Sequence, residues 1–352
     1  MLQSPLRLGS LDLPNRVLMA PLTRCRTGDE RVPNALTAEY YAQRSSAGLI
    51  FSEATSVSPR GVGYPGTPGI WSAEQTEGWR QVTDAVHQAG GRISLQLWHV
   101  GRISHPSYLS GQLPVAPSAI AASGHVSLIR PLTPFPTPHA LTLSEIAATL
   151  DDYRTAAANA HAAGFDGVMI HAANGYLIDQ FLQDATNHRT DEYGGTLDHR
   201  LRFLLEVVAA VAESWESGRI GVHLAPRGDT HDMGDSDPKT LFGAVASALS
   251  GRVGYLSARE HHEAEALGPF LKQTFGGPFV ANEKFTAESA ENALASGIAD
   301  AVAFGKAFIS NPDLPERFAR GAELTPPNPA TFYFTGEGDP RTGYTDYPAL
   351  TD

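Results

Sequence analysis

Three polar side chains follow a short apolar run in the middle of the chain. Residues 167–170 are apolar and predict a buried strand, and His171, Asn174 and Tyr176 come soon after them. His171 and Asn174 can each donate an N–H to one oxygen, while Tyr176 carries a phenolic O–H that can give up a proton. Two donors on an oxygen, with a proton source beside them, suit addition across an activated C=C bond.

Each of these side chains also has an ordinary structural explanation. His171 could be a hydrogen-bonded core histidine and Tyr176 a packing residue, because buried polar residues mark functional sites only in a fraction of cases. Their position after a strand favours function. In an α/β barrel, the loops after the strands converge on one face, and active sites are built there.

Apolar runs and helical patterns alternate along the chain, which predicts a fold of the α/β class, a (β/α)8 TIM barrel. The predicted strands are residues 16–20, 48–52, 92–97, 167–170, 220–224, 253–256, 278–281 and 299–304. The predicted helices are residues 37–46, 73–89, 143–163, 197–213, 238–249, 286–296 and 312–320, with a weaker signal near 264–275. Parallel strands separated by helices close into a barrel more naturally than they lie open.

Two segments fall outside this alternation. Residues 99–140 are rich in Pro, Gly and Ser, so we expect a lid or cap at the barrel mouth after the third strand. Residues 322–352 are rich in Pro but also in aromatic residues, which a disordered tail lacks, so we expect this C-terminal extension to pack on the barrel. We therefore expect one domain spanning residues 1–352.

The composition of the chain narrows the classes of molecule that it could bind. A net charge of −12 argues against nucleic acid, which requires clustered Lys and Arg. Cys25 is the only cysteine, which excludes an intrachain disulfide and fits a reducing cytoplasm. There is no leader-like apolar region and no apolar run long enough to span a membrane. We expect a cytoplasmic monomer or homodimer that acts on a small molecule, without membrane contact.

The segment around the three polar side chains resembles a known family. IHAANGYLIDQFLQDATNHRTDEYGG, at 170–195, is similar to the signature segment of the Old Yellow Enzyme family, FMN-dependent ene-reductases on a (β/α)8 barrel. Residues 15–26, 94–106, 232–238, 300–318 and 343–348 also resemble family segments, in the family's order. The resemblance covers nearly the whole chain. It implies non-covalent FMN, with NADPH or NADH as the reductant.

The resemblance also implies roles for individual residues. His171 and Asn174 would polarise the substrate's activating oxygen, and Tyr176 would protonate its α-carbon. The residues expected around the flavin ring are Ala20, Pro21, Leu22, Thr23, Ala54 and Gln96. The expected aromatic walls for a planar enone or nitro compound are Tyr64, Trp98 and Tyr333, although large aromatic residues are more often core.

One departure from the family pattern lies after strand five. Many relatives carry an arginine there, beside the flavin edge that becomes negative on reduction, whereas this chain has His223. An unperturbed histidine titrates near pH ~6.5, so His223 would replace a permanent charge with a switchable one. Arg227 lies a few residues further on and could instead occupy the vacated space.

A second departure lies in the phosphate site expected after strands seven and eight. The residues expected there are Asn282, Glu283, Lys284, Gly305 and Lys306. Many relatives carry glycines near 283 and an arginine at 306. Glu283 would place a carboxylate near the phosphate, and Lys306 replaces a two-pronged donor with a point charge, so both changes could weaken binding.

Other functions stay open on the residues alone. A metal-dependent hydrolase would need a His-x-His pair after strand one, and the sequence has none there. His231-Asp232 and residues 261–263 could be ligands, but adjacent loop residues rarely share one metal ion. We interpret both groups as solvated and expect no metal. A Schiff-base aldolase would need a lysine at a strand end, and only Lys284 and Lys306 qualify. The remaining alternative is an FMN-binding barrel with impaired redox activity.

Overall fold

A closed barrel of parallel strands forms the centre of the molecule, as seen in a computed structural model that describes residues 1–261 and 265–350. Each barrel strand pairs with its sequence neighbour, and the last strand pairs with the first. The strands are β1 (Val17–Met19), β2 (Ile50–Ser56), β3 (Ile93–Trp98), β4 (Gly167–Ala172), β5 (Ile220–Leu224), β6 (Tyr255–Arg259), β7 (Phe279–Asn282) and β8 (Ala301–Phe304). The predicted barrel is confirmed.

Helices on the outside of the barrel follow the strands. In the described residues they are α1 (Ala35–Ala42), α2 (Ala73–Gln88), α3 (Leu143–Ala162), α4 (Leu177–Leu182), α5 (Leu197–Ala212), α6 (Pro238–Leu249), α7 (Gly268–Phe275), α8 (Ala287–Ala295), α9 (Lys306–Ser310) and α10 (Leu314–Arg320). Reciprocal hydrogen bonds at the N-terminus explain where several of these helices begin. Thr142 accepts from the backbone N–H of Glu145, whose carboxylate accepts from the N–H of Thr142 in return.

Two helix predictions need correction. α1 ends at Ala42, before the predicted end at residue 46, because the chain turns at Gln43 to reach β2. The predicted helix at 312–320 begins at Leu314, with proline in its first turn, and a separate short helix, α9, precedes it. The weakly indicated segment at 264–275 contains α7, and its first residue lies outside the described residues.

An N-terminal hairpin that was not predicted closes the bottom of the barrel. Its strands, Leu6–Leu8 and Leu11–Leu13, pair in antiparallel fashion around Gly9, which has a φ of 60°. Leu8 and Leu11 are buried in one cluster with residues from inside the barrel, such as Met169. The strands are too short to show a period-2 pattern. Access to the barrel interior is therefore left to the opposite end.

The insertion at 99–140 covers that opposite end. Its short strands, Val115–Ala116 and His139–Ala140, pair with each other, and its apolar residues form a cluster around Trp98 at the end of β3. Val126 and Phe135 belong to this cluster and are buried. The insertion is therefore a cap on the strand ends, as expected.

The C-terminal extension is fastened to the barrel by buried contacts. Tyr344 is fully buried and stacks on Tyr40 of α1, with ring centroids 4.0 Å apart. Arg24, also fully buried, donates to the carbonyl oxygens of Phe332 and Gly343, at 2.9 and 2.7 Å. These contacts place the extension beside the barrel mouth. In the described part of the chain, no helix has the length and apolar character needed to cross a membrane.

Candidate active site

A cavity of about 510 Å³ lies at the carboxyl ends of the barrel strands. It brings together residues from both ends of the chain, because all eight strands point their carboxyl ends to the same face. The predicted site residues that line it are Ala20, Pro21, Leu22, Thr23, Asn174, His223, Asn282, Glu283, Lys284, Gly305, Lys306 and Tyr333. Phe332 and Arg259, which were not predicted as site residues, line it as well.

Two predicted cofactor residues, Ala54 and Gln96, lie beside this cavity and do not line it. Ala54 follows a bulge in the pairing of β2 with β3, a device that redirects a strand at a barrel rim, and it packs against Trp98. Gln96 is buried, and its side-chain amide donates to His223 Nδ1 at 3.3 Å. Gln96 therefore reaches the cavity wall through His223.

The residues around the cavity fit a flavin mononucleotide. The volume falls in the range of about 300–1,000 Å³ that is typical of small-molecule sites, and the walls are apolar with a few polar groups. Lys284 and Lys306 supply two positive charges for a phosphate. Glu283 and Lys284 have φ angles of 100° and 59°, a left-handed conformation that favours glycine, so strain is stored at this loop.

His171, near the carboxyl end of β4, and Tyr176, just after that strand, lie together beneath the cap. The ring centroids of His171 and Tyr176 are 5.1 Å apart, and the Tyr176 ring meets Trp98 edge-on at the same distance. The Tyr176 hydroxyl lies 3.0 Å from that of Tyr64, whose ring stacks on Trp98. The predicted aromatic walls Tyr64 and Trp98 therefore adjoin the predicted catalytic residues.

A buried carboxyl group holds the loop that carries Asn174 and Tyr176. Asp179 accepts the backbone N–H of Gly175 at 2.9 Å, and Gln180 donates to the Gly175 carbonyl at 2.8 Å. Burial raises the pKa of Asp179 to about 7. Asn174 itself has a φ of 59°, so its backbone is held in a conformation that needs such support.

Burial fixes the protonation of two predicted catalytic residues. Burial lowers the pKa of His171 well below its usual value, and the neighbouring His223 and Arg259 act in the same direction. Burial raises the pKa of Tyr176 well above its usual value, with a further contribution from Tyr64. His171 is thus a neutral donor and Tyr176 a protonated acid. Within the described residues, buried His171 Nδ1 has no hydrogen-bond partner.

The prediction that His223 is a switchable charge is wrong. Burial, followed by the charge of Arg259, lowers the pKa of His223 to about 3. Because Nδ1 faces the amide donor of Gln96, the single proton of the neutral ring lies on Nε2. His223 therefore offers a neutral N–H at ordinary pH.

Arg227 does not occupy the space beside His223. Its Nε donates to Glu260 at 2.5 Å and its Nη2 to the His261 carbonyl at 2.8 Å. The guanidinium that faces the cavity belongs to Arg259 instead. Arg259 was not predicted at the site because the apolar run predicts an end of strand six at residue 256, whereas β6 runs to Arg259 itself.

Arg259 connects two predicted site residues. It donates to Asn174 Oδ1 and to Glu283 Oε1, both at 3.1 Å. The Glu283 carboxylate is thus paired with a cation, which offsets the repulsion toward a phosphate that the sequence led us to expect.

The interpretation of His231 as a solvated residue is also wrong. Its Nδ1 lies 2.9 Å from the Asn174 carbonyl oxygen, and its ring lies 5.6 Å from that of Tyr176. Asp232 is exposed and accepts from Ser123 of the cap. Among residues 1–261 and 265–350, no cluster of three His, Cys, Asp or Glu side chains could hold a metal ion. Residues 262 and 263, part of the other proposed ligand group, lie outside the described ranges.

Comparisons with known proteins agree with a flavin-dependent oxidoreductase, the class that this barrel and cavity define. A family model described as the NADH:flavin oxidoreductase / NADH oxidase family matches residues 1–325. The chain belongs to this family, whose members use FMN. It is 42% identical to flavin oxidoreductase hxnT of Emericella nidulans, over 98% of this chain and 96% of that protein.

Solved structures confirm the resemblance over the whole fold. A structure of morphinone reductase in complex with tetrahydroNAD has a TM-score of 0.95 and 48% identity, covering 100% of this chain and 98% of that one. An Old Yellow Enzyme homologue from Zymomonas mobilis has the same TM-score and 47% identity, covering 99% of each chain. The bound nicotinamide analogue in the first structure supports a nicotinamide reductant for this chain.

Proposed function

We propose that this chain reduces the activated C=C bond of α,β-unsaturated carbonyl compounds or nitroalkenes, with NADPH or NADH as the electron source. The observation that carries the proposal is the grouping of a neutral imidazole, an amide and a protonated phenol beside one cavity. When bound, FMN supplies the redox step by accepting a hydride from the nicotinamide and passing one to the substrate.

His171 and Asn174 bind the activating oxygen in this proposal. Both present N–H donors, and negative charge grows on that oxygen as the C=C bond is reduced, so both hydrogen bonds strengthen during the reaction. A neutral His171 serves this role at any ordinary pH because its low pKa keeps the imidazolium from forming. The neutral ring of His171 donates a hydrogen bond through its N–H and does not have to transfer a proton.

Tyr176 delivers the proton to the α-carbon. Its raised pKa keeps the hydroxyl protonated until the carbon gains negative charge. Tyr64, whose hydroxyl lies 3.0 Å away, can then donate a hydrogen bond to the phenolate oxygen left behind. The cap supports this chemistry by covering Trp98 and Tyr176 with apolar residues, which limits the entry of water.

The proposed cofactor contacts follow the cavity walls. Thr23 offers a polar group to the flavin ring and Gln96 acts on it through His223, with Ala20, Pro21 and Leu22 as apolar or backbone neighbours and Ala54 beside the cavity. Lys284 and Lys306, with the backbone at Asn282 and Gly305, hold the phosphate without a covalent bond. Tyr333, which is 45% exposed, forms the outer wall for the substrate.

The names of relatives support the substrate class. A probable flavin mononucleotide-dependent alkene reductase of Leishmania infantum is 43% identical, over 98% of this chain and 96% of that protein. 12-Oxophytodienoate reductase 7 of Oryza sativa subsp. japonica is 44% identical, over 99% of this chain and 94% of that protein. Both names describe reductases of unsaturated substrates.

The test is to incubate the purified, FMN-saturated protein without oxygen with NADPH or NADH and 2-cyclohexenone. We expect cyclohexanone as the product, and acid precipitation should release FMN into the supernatant. Release of FAD would contradict the proposed cofactor. FMN release together with reduction of the flavin but no cyclohexanone would favour the alternative, a barrel with impaired redox activity.

We further propose that the chain acts as one domain, in the cytoplasm, as a monomer or homodimer that does not bind nucleic acid. The buried, unpaired thiol of Cys25 and the net charge of −12 support this. Light scattering with and without added DNA checks the oligomeric state and the absence of nucleic-acid binding. A mass above that of a dimer would contradict the proposed assembly.

A further inference from the structure

The hydrogen bond between Arg259 and Asn174 points to a residue with a function beyond those proposed above. We infer that Arg259 is a positioning residue: it fixes the Asn174 amide so that its NH2 group faces the substrate oxygen, and Glu283 holds Arg259 in place. The inference rests on the proposed role of Asn174 as a donor to that oxygen.

The barrel geometry brings Arg259 to this place. Arg259 is the last residue of β6 and lies in register with Asn282 at the end of β7, while the residue before it, Ala258, pairs with Leu224 of β5. The Arg259 side chain therefore starts at the rim of the barrel. From there its Nη1 reaches Asn174 and its Nη2 reaches Glu283.

The chemistry of the guanidinium decides how the amide must point. Arginine carries only donors, so the Asn174 side chain can face it only through its carbonyl oxygen. A flipped amide would set NH2 against N–H and lose the 3.1 Å bond. The NH2 group is consequently turned away from Arg259 and stays available as a donor.

The Asn174 backbone is fixed independently of its side chain. His231 binds its carbonyl oxygen, and Asp179 binds the N–H of the next residue, Gly175. The remaining freedom at Asn174 is the rotation of the amide, which is the freedom that Arg259 removes. A small loss of orientation there costs binding and rate, because a donor must be aimed at the oxygen.

Glu283 completes the arrangement from the other side. Its carboxylate lies 3.1 Å from Arg259 Nη2 and 3.9 Å from His261 Nε2. The Arg259 side chain is 39% exposed, so the ion pair adds little to stability in water. What it provides is direction, since the contacts of Nη1 with Asn174 and of Nη2 with Glu283 together keep the long arginine side chain from turning into solvent.

The experiment is a double-mutant cycle on the FMN-saturated protein, with 4-hydroxybenzaldehyde as a phenol probe for the oxygen site. Its dissociation constant is measured from the change in visible absorbance. We expect Arg259→Met to weaken probe binding about 10-fold in the parent, which is the scale of one oriented hydrogen bond. In an Asn174→Ala background, the same substitution should weaken probe binding less than about 2-fold. Arg259→Lys, which keeps a donor and the charge, should restore part of the affinity.

Arg227→Met is the matched control. Arg227 is also paired with a glutamate near the barrel mouth, but its partners are Glu260 and the His261 carbonyl, so this variant should leave the probe affinity unchanged in both backgrounds. Glu283→Gln should cause part of the loss of probe affinity that Arg259→Met causes, again only where Asn174 is present. That dependence would not arise from a general structural effect.

The possible outcomes separate the inference from the proposed function. Equal losses for Arg259→Met in both backgrounds, or no loss in the parent, would overturn the positioning role alone. If Asn174→Ala itself leaves probe binding unchanged, the oxygen-binding role in the proposed function fails, and the inference fails with it. Coupling between Arg259 and Asn174 in a protein that forms no cyclohexanone would support the inference and contradict only the proposed function.

Discussion

Burial decides the charge of the histidine that faces the cofactor cavity. His223 stands on β5, is only 5% exposed, and has its pKa lowered to about 3 chiefly by loss of water. A lowered histidine pKa means that the ring stays neutral until strongly acidic pH. His223 therefore contributes a fixed neutral donor to the site.

This gives a prediction for the midpoint potential of the bound FMN. Between about pH 5 and 8, where an ordinary histidine changes charge, the curves for the parent and His223→Gln should run parallel. His223→Arg should raise the potential throughout, because a permanent positive charge favours the reduced, more negative flavin. Redox titration against pH measures this. A bend near pH ~6.5 that disappears in His223→Gln would show that His223 titrates after all.

Residue types alone revealed part of this site. The proposed donors and the proposed acid at the end of β4 could be singled out because their types and spacing are local properties of the sequence. The charge of His223 could not, since it depends on burial created by distant segments and on Arg259, which is 36 positions later in the chain. The role of His231 was missed for the same reason: its contacts with Asn174 and Tyr176 are tertiary.

The C-terminal extension matters to the site because it supplies part of the cavity wall. Phe332 and Tyr333 line the cavity, and the backbone of this segment is held by the buried Arg24. The stacking of Tyr344 on Tyr40 adds an apolar contact. The position of the wall therefore depends on the buried guanidinium of Arg24.

Removing this anchor should loosen the extension. We expect Arg24→Met to lower the free energy of unfolding by about 2–4 kcal/mol, because the buried Gly343 carbonyl oxygen loses its donor and the guanidinium no longer packs on the rings of Tyr40 and Tyr344. Limited proteolysis should then cut within residues 331–350 faster than in the parent, and FMN should bind more weakly. Arg341→Met is the control: it removes an exposed pair with Glu39, worth at most about 1 kcal/mol. Equal effects of both variants would contradict the anchoring role.

The elements themselves were largely predictable, and the errors have physical causes. All eight barrel strands were found because each is a short apolar run between turn signals. β6 was ended too early because Ser257 and Arg259 are polar, although they lie at a strand end that opens into the site. The N-terminal hairpin was missed because strands of three residues carry no recognisable period.

At the scale of the whole molecule, barrel closure unites residues that are far apart in sequence. Residues as far apart in sequence as Ala20 and Tyr333 line one cavity because the carboxyl ends of all strands meet at one face. We expect this pocket to serve the nicotinamide and the unsaturated substrate in turn. This arrangement implies two half-reactions that use the same flavin but different side chains.

The most direct test of this account is to measure the two half-reactions separately by stopped-flow absorbance in the parent and in Tyr176→Phe. In the proposed mechanism Tyr176 donates a proton only to the unsaturated substrate. Reduction of the flavin by NADPH should therefore stay within about twofold of the parent, while its reoxidation by 2-cyclohexenone should slow about 10²–10⁴-fold. Equal slowing of both half-reactions, or of neither, would contradict the account.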